Sequence, residues 1–533
     1  MLTNKLRIGF VIDQSPISSW KYYIIEKVSQ LDFCELCQII QINNINKEKN
    51  VKKTPFQSLL LNYEQRKIIE NPSSFEKKEL SNFSKFFHSS KNYISNNELI
   101  IDNDKKIEEL NLDVIINLSS LKVKGKIIDS IKFGIWYFNP ISRIFDDLSG
   151  FEEILNDTPI ITTNLQCITN NEENEKIITG CYSPTNFLSL RRSSNAVNWN
   201  KSKIILLSLE KLYNLNKLDP RIQNETIINN VVNLSSILNN RQYAKLFLKM
   251  IQKSMKSKFY NKFYFDQWIL MFNFDTQLST SFSKFQSLKP EKDRFWADPH
   301  IVFEDNYYYI FLEEFPYAQN KGHITLFQMN ENGNIQTRKK ILEKSYHLSY
   351  PFVFKFKDTY YMIPETHSNH AIELYECINF PFTWKFSKNL MKNIDAVDTT
   401  LFHHNDKWWL FTCISRYNQI KTWDDLFLFY TDDLIEGSWK SHPYNPIVSD
   451  IRKARSAGKI FLRDGNIIRP SQDSSGGYGT GIVLNKINFD EENYNETVLE
   501  ILRPNWNPKI TGLHTIQYVS GLTVIDAKMK RMR

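Results

Sequence analysis

The chain has 533 residues, a formal net charge of +8, 41% hydrophobic residues and 24% charged residues. That length is more than one core usually fills, so roughly two to four domains are predicted. The excess Lys is scattered among Asn and Ile, without the arginine-rich stripe or basic helix that would point to nucleic acid, and a nucleic-acid partner is excluded on that ground.

In chain order, KLRIGFVID from Lys5 is a continuous apolar strand, Ser18 to Gln30 reads as a helix, and CELCQIIQI from Cys34 is a second strand. The opening apolar run, IGFVI, is too short for a secretory core or a membrane span, so a cytoplasmic protein is expected. Residues 47–106 are rich in Lys, Asn and Ser with weak periodicity, and read as an insertion of helices and loops. LDVIINLSS from Leu112 and FGIWYF from Phe133 are further strands joined by a short helix. Strands alternating with helices imply parallel βαβ units, so residues 1–200 are expected to form an α/β Rossmann-like domain. Residues 201–262 turn helical, as in YAKLFLKMIQKSMKSKFYNK, and are expected to link this domain to the rest. DQWILMFNF from Asp266 then reads as a strand belonging to the C-terminal half.

Six cysteines are too sparse for a disulfide scaffold, and reduced thiols are expected. Cys34 and Cys37 form a CxxC, but no second pair follows at zinc spacing, so both read as packing in a buried strand. His367 and His370, or His403 and His404, are weak metal candidates; strand alternation sends the last two to opposite faces. No metal site is expected.

From Asp298 onward one pattern recurs five times: a polar residue, a short apolar strand, a turn, and a second strand. The copies are DPHIVFEDNYYYIFLEE from Asp298, YPFVFKFKDTYYMIPET from Tyr350, DTTLFHHNDKWWLFTC from Asp398, AGKIFLRDGNIIRPSQ from Ala457 and HTIQYVSGLTVID from His514. A hairpin repeat of roughly 50 to 60 residues is the mark of a β-propeller blade, so residues 263–533 are expected to form an all-β five-bladed propeller. The strand at Asp266 would complete the last blade by ring closure. First strands of blades line the central axis, which should gather Asp298, Asp398 and His514 at one funnel.

The same register supplies Glu313, Glu365 and Gln472 after the second strand of their repeats. A carboxyl following an apolar strand, as in MIPET, is raised in pKa when buried alone, and suits a general acid. Glycosidic chemistry uses two carboxyls, about 5 to 5.5 Å apart for retention and about 6.5 to 9.5 Å for inversion. Asp298 and Glu365 are the predicted pair, tuned by Asp398. Arg455 in IRKARSAG and Arg469 in IIRPSQD offer guanidinium forks for a carboxylate or phosphate, so acidic or phosphorylated sugars are plausible ligands. His514 can donate to a sugar hydroxyl or phosphate oxygen, and Asp473 and Tyr478 flank the glycine-rich turn SSGGYG.

Two resemblances sharpen these expectations. The segments LDVIINLSSLKVKGKIIDSIKFGIWYFNPISR and DTPIITTNLQCITNNEENEKIITG resemble the N-terminal domain of the formyltransferase family. The family's Asn, His and Asp fall at Tyr137, Asn139 and near Glu173, and all three differ. Neither phenol nor amide replaces a titrating imidazole, so this resemblance implies a degenerate, non-formylating domain. The stretch from Phe295 to Asp526, with FWADPHIVFEDNYYYIFLEE, AVDTTLFHHNDKWWLF and GLHTI, resembles the N-terminal propeller domain of glucosamine inositolphosphorylceramide transferases. That domain is similar in turn to family 43 glycosidase propellers, whose first-blade Asp acts as base and whose third-blade Asp tunes the acid. The resemblance implies a base at Asp298 and a tuner at Asp398.

The expected function is a carbohydrate-active protein of surface glycan or glycolipid assembly, with glycosyl transfer or cleavage in the funnel. No cofactor is expected, and a sugar nucleotide would enter only as a donor substrate. The alternatives are a non-catalytic glycan-binding propeller and an amino-sugar formyltransferase, against which Tyr137 and Asn139 count.

Overall fold

The structure is a computed structural model that describes residues 5–42, 54–88, 92–95, 98–101, 105–139, 148–169, 175–219, 239–417, 419–420 and 422–533. Glu173 and parts of the 47–106 stretch lie outside the described residues. The chain divides into two compact units, residues 1–256 with 417–421, and residues 257–416 with 422–533.

The first unit is built on a seven-stranded mixed sheet. Its five parallel strands are Leu6–Ile12, Cys34–Gln41, Phe87–His88, Val114–Asn117 and Ile135–Asn139. Numbered in chain order, they stand side by side as 3-2-1-4-5, and the antiparallel strands Ile160–Ile168 and Lys176–Pro184 extend the sheet beyond the fifth. Leu6–Ile12 and Val114–Asn117 are buried on both faces, which is why they read as unbroken apolar runs. Phe87–His88 comes from the stretch read as an insertion, so that stretch contributes an edge strand to the sheet.

The helical stretch expected over 201–262 divides in two. Leu190–Leu215 starts earlier, and its buried face, including Trp199, Ile205, Leu209 and Leu212, joins the core of the first unit. Asn240–Phe263 carries seven cations and no acid, a basic helix hidden in the sequence because its Lys are spaced and its Arg solitary. Among the described residues no helix is long and apolar enough to cross a membrane. All six cysteines are free thiols. Burial pushes Cys34 up to about 12 and Cys37 up to about 11, which suits packing rather than metal ligation.

The second unit is a five-bladed β-propeller. Blade I runs from Arg294 to Leu342, blade II from Ser349 to Lys392, blade III from Ala396 to Ser449 and blade IV from Phe461 to Leu502. Each is an antiparallel sheet numbered outward from the axis in chain order. Blade V draws on both ends of the unit: Ile510–Val519 lies innermost, then Leu522–Met532, then Tyr264–Phe274, with Gln286–Leu288 at the edge. Tyr264–Phe274 pairs with Leu522–Met532 residue for residue from Tyr264 with Met532 to Phe274 with Leu522. This pairing closes the ring.

Closure places Leu270, Phe272, Leu522 and Val524 in one apolar cluster with Ile301, Ile310 and Leu312 of blade I. Leu270→Ala should therefore destabilise the protein by about 2–5 kcal/mol, through lost burial and the cavity left behind. Ile335→Ala, on the exposed edge of blade I, should change stability by no more than about 0.5 kcal/mol. Guanidinium denaturation of both variants tests the closure, and a Leu270→Ala effect as small as that of Ile335→Ala would show that the ring does not depend on it.

Candidate active site

Three inner strands bend in the same way. Asp298, Tyr350 and Asp398 have φ of 53°, 41° and 51°, and each sits at a register shift between the first and second strands of its blade. Left-handed backbone is unusual for Asp and costly for Tyr, and bulges of this kind re-aim a side chain out of the regular alternation. Here they turn one side chain per blade into the funnel. Tyr350 is the residue that the repeat register should have flagged, since it holds in the second copy the place that Asp298 and Asp398 hold in the first and third.

The Asp298 carboxylate is buried and accepts from the Tyr350 backbone N–H at 3.3 Å and the Thr515 hydroxyl at 3.0 Å. His514 Nε2 lies 3.0 Å from Asp298 Oδ1, and His514 Nδ1 lies 2.9 Å from Asp526 Oδ1. Burial alone would neutralise this imidazole, but Asp526 and Asp298 outweigh it and push His514 up to about 10. Burial likewise raises Asp298, and the His514 charge and hydrogen bond more than offset it, so Asp298 is held below the usual carboxylate range. Asp298, His514 and Asp526 can bring one ligand atom each within 4.8 Å of one another. Each ring nitrogen of His514 faces a carboxylate, and in its protonated form the ring offers no lone pair to a metal.

Glu313 and Glu365 oppose Ala297 and Ser349 at the same register of blades I and II, yet their surroundings differ. Glu365 Oε1 lies 2.7 Å from His367 Nδ1, and its Oε2 lies 3.8 Å from Arg455 Nη2. Burial raises it, and His367 with Arg455 bring it below its ordinary value. Among the described residues the one ion-pair contact of Glu313 is His347, 3.5 Å away. Burial, then the negative charges of Asp298 and Glu365, hold the Glu313 carboxyl well above the carboxylate range. The proton expected on Glu365 is thus favoured on Glu313. The cause is local: among the described residues Glu365 has both His367 and Arg455 within 4.0 Å, and Glu313 has His347 alone.

Asp398 accepts from Arg455 Nε and from Gln472 Nε2, the latter at 3.0 Å. Burial pushes it up to about 7 even beside Arg455, because Glu365 and Asp298 add negative charge nearby. Gln472 thus serves Asp398, its amide also donating to the Ser456 carbonyl at 2.8 Å. Arg469 does not reach this cluster. Its fork is buried against Glu496 and the carbonyls of Lys453 and Ala454, so it is a structural tie within blade IV and not a substrate contact. Asp473 is likewise paired, with Arg503.

Aromatic rings frame these charges. The Arg455 guanidinium lies 5.1 Å from the Tyr478 ring and 5.9 Å from Trp423, while Trp268 packs on His514 at 4.2 Å and His367 on Trp423 at 5.4 Å. Trp268 and Tyr478 meet edge-on at 6.0 Å, and Tyr478 is 45% exposed. Such rings offer flat apolar faces beside polar groups, the arrangement that suits a sugar ring. Tyr350 crosses beneath: its hydroxyl lies 3.0 Å from Thr400 Oγ1 and accepts from the Gly458 N–H at 3.0 Å. Below it, His300 is wedged between the Val353 carbonyl at 2.7 Å and Gln517 at 3.0 Å. Trp268, His347 and Trp423 went unnoticed as site residues because they stand outside the repeated positions, and His367 was weighed only as a weak metal ligand.

Residues 283–507 match the family model for the N-terminal domain of glucosamine inositolphosphorylceramide transferase 1. The rice (Oryza sativa subsp. japonica) protein of that name is 31% identical over 211 residues, 39% of this chain and 28% of its own length. The Arabidopsis thaliana protein is 33% identical over 206 residues, 38% of this chain and 27% of its own. The chain therefore spans little more than a quarter of the curated relatives it matches. Among solved structures, a family 117 glycoside hydrolase from Zobellia galactanivorans aligns over 49% of this chain and 90% of its own, with 10% identity and a TM-score of 0.33.

The His514 ion pair has a pH signature. The folded value of about 10 lies above the ordinary 6.5, so the stabilisation is complete below about 6.5 and is lost as pH rises through about 10. Wild-type stability should fall across this window, and His514→Gln should be lower at pH 6 but flatter between pH 6.5 and 10. Denaturation at a series of pH values measures both, and parallel curves for the two proteins would show that His514 is not an imidazolium.

Proposed function

We propose that the propeller funnel is the active site of a carbohydrate-active enzyme that transfers or cleaves a glycosidic bond in glycan or glycolipid assembly. The observation carrying this reading is one buried carboxyl favoured protonated, Glu313, and one held ionised, Asp298, in a single aromatic-framed funnel. Glu313 donates its proton to the departing glycosidic oxygen. Asp298 takes the proton of the incoming hydroxyl, which belongs to water in cleavage and to an acceptor in transfer, where the donor is an activated sugar such as a sugar nucleotide. Arg455 is positioned by Asp398, and beside Tyr478 and Trp423 it suits an acidic or phosphorylated group on the substrate. The likeness of residues 283–507 to the plant transferases supports a sugar or glycolipid substrate. The free thiols agree with a reducing, cytoplasmic setting.

A second reading has its own observation. The Asp298 carboxylate already accepts from Tyr350 and Thr515 and pairs with His514, which suits a fixed acceptor in a glycan-binding module. In the first unit, the strand order 3-2-1-4-5 supports a Rossmann-like assignment. Tyr137 there is buried, its hydroxyl held well up by burial and by Glu175, and can replace neither the amide nor the base of formyl transfer. We therefore infer that this unit does not transfer formyl groups.

Glu313→Gln and Asp298→Asn separate the two readings. If the funnel catalyses, each should lower turnover about 10²-fold or more while ligand affinity stays within about tenfold. An aryl glycoside with a good leaving group should restore Glu313→Gln activity but not that of Asp298→Asn. Calorimetric titration against sugars and sugar nucleotides, with product analysis by mass spectrometry, reads both quantities. Ligand binding without product from the wild type across that panel, weakened in Asp298→Asn, would establish the binding module instead.

A further inference from the structure

We propose that the helix Asn240–Phe263, with the neighbouring helix Pro55–Lys67, is a docking face for an anionic membrane surface. Leu248, Ile251, Met255 and Phe259 recur at intervals of three and four residues, so they form one stripe along the helix. Leu248, Met255 and Phe259 are 59%, 58% and 64% exposed. The opposite side of the same helix is its buried one, with Tyr243, Leu246 and Met250 packed in an apolar cluster with Leu60, Phe151 and Ile154. The helix therefore has two apolar faces, and its own core accounts for only one.

The second helix lengthens the exposed face. Phe56 and Leu59 are exposed on it, and Tyr63 meets Phe247 edge-on at 5.8 Å, which holds the two helices side by side. Thr54 caps this helix through Gln57, so its first turn, carrying Phe56, is fixed.

Charge identifies the occupant. The 24 residues of Asn240–Phe263 contain seven cations and no acid. Lys249 and Lys253 are held by Asp157 at 2.6 and 2.7 Å, while Lys245 and Lys256 fall on one side of the apolar stripe and Lys258 on the other at helical spacing. Cores of protein interfaces are depleted in Lys, whereas a membrane-surface helix pairs an apolar stripe with Lys flanks that reach up to lipid headgroups. The absence of any acid on the helix removes the repulsion an anionic bilayer would otherwise meet. Membrane docking of this kind is independent of the chemistry assigned to the funnel.

The test uses the full chain and sedimentation with vesicles of phosphatidylcholine alone or with about 30% phosphatidylserine. The protein should pellet with the anionic vesicles, poorly with neutral ones, and be released by high salt. Leu248→Glu and Met255→Glu, both at exposed positions, should keep the circular dichroism of the parent yet lower vesicle partition by at least about tenfold. Lys256→Gln combined with Lys258→Gln should weaken anionic binding and reduce its salt dependence. Failure of the wild type to bind anionic vesicles, or equal binding by the glutamate variants, would overturn the proposal. So would a wild-type dimer in analytical ultracentrifugation that the same variants dissociate without any vesicle binding, since the face would then be a contact between copies of the chain.

Discussion

Asp526 ties the first and last blades of the second unit together beside the funnel. Its side chain is fully buried, and it accepts from the backbone N–H groups of Asp298, His514 and Thr515 at 2.9, 3.2 and 2.8 Å. Asp298 belongs to blade I and the other two to blade V, so one carboxylate ties the first blade to the last beside the paired strands that close the ring. Three backbone hydrogen bonds fix the Asp526 carboxylate against the His514 ring, and its charge is the largest of those that raise the His514 pKa. His514 in turn holds Asp298 ionised. The charge balance of the funnel thus leans on a contact between blades.

Burial makes this chain consequential. Five buried carboxyls, Asp298, Glu313, Glu365, Asp398 and Asp526, share the region with Arg455 and the His514 imidazolium as its firm positive charges. Two like charges 4 Å apart repel by about 4 kcal/mol even at an effective dielectric near 20, equivalent to several pKa units. All five cannot remain ionised together. Compensation is weakest at Glu313, whose ion-pair contact is a single histidine, and at Asp398, which shares Arg455 with Glu365, and burial raises the pKa of both.

Much of this arrangement was legible in the repeats. A hairpin recurring at blade length, with Asp298, Asp398 and His514 at equivalent places, announced both the ring and the convergence of its inner strands. Gln472 and Arg455 also lay close enough to that register to be counted. Arg469 did not, because it stands three residues from Gln472 on an unbroken strand, where alternation turns the two side chains to opposite faces, and its partner Glu496 lies two strands away. The roles of Glu313 and Glu365 were beyond the repeat altogether. Both follow an apolar strand in nearly the same words, LEE and PET, and what separates them is His367 and Arg455, the second contributed by another blade. The basic helix escaped notice for a different reason: its lysines are spaced along Asn240–Phe263 and do not form a run.

A propeller offers nearly equivalent positions around an axis, and equivalence alone makes no chemistry. Here the backbone keeps the symmetry, with the same left-handed bulge at Asp298, Tyr350 and Asp398, while the side chains break it. Tyr350 replaces what would be a third aspartate, and its hydroxyl spans the floor to Thr400 and Gly458. An Asp there would add a sixth carboxyl to a site already short of positive charge, raising every neighbouring pKa and driving Asp298 toward the neutral form. The phenol fills the same place, satisfies two neighbours by hydrogen bonding, and carries no charge, because burial pushes its ionisation far above neutral pH. Tyr350 therefore adds no negative charge beside Asp298, and its bulge, like the one at His514 in blade V, holds no aspartate.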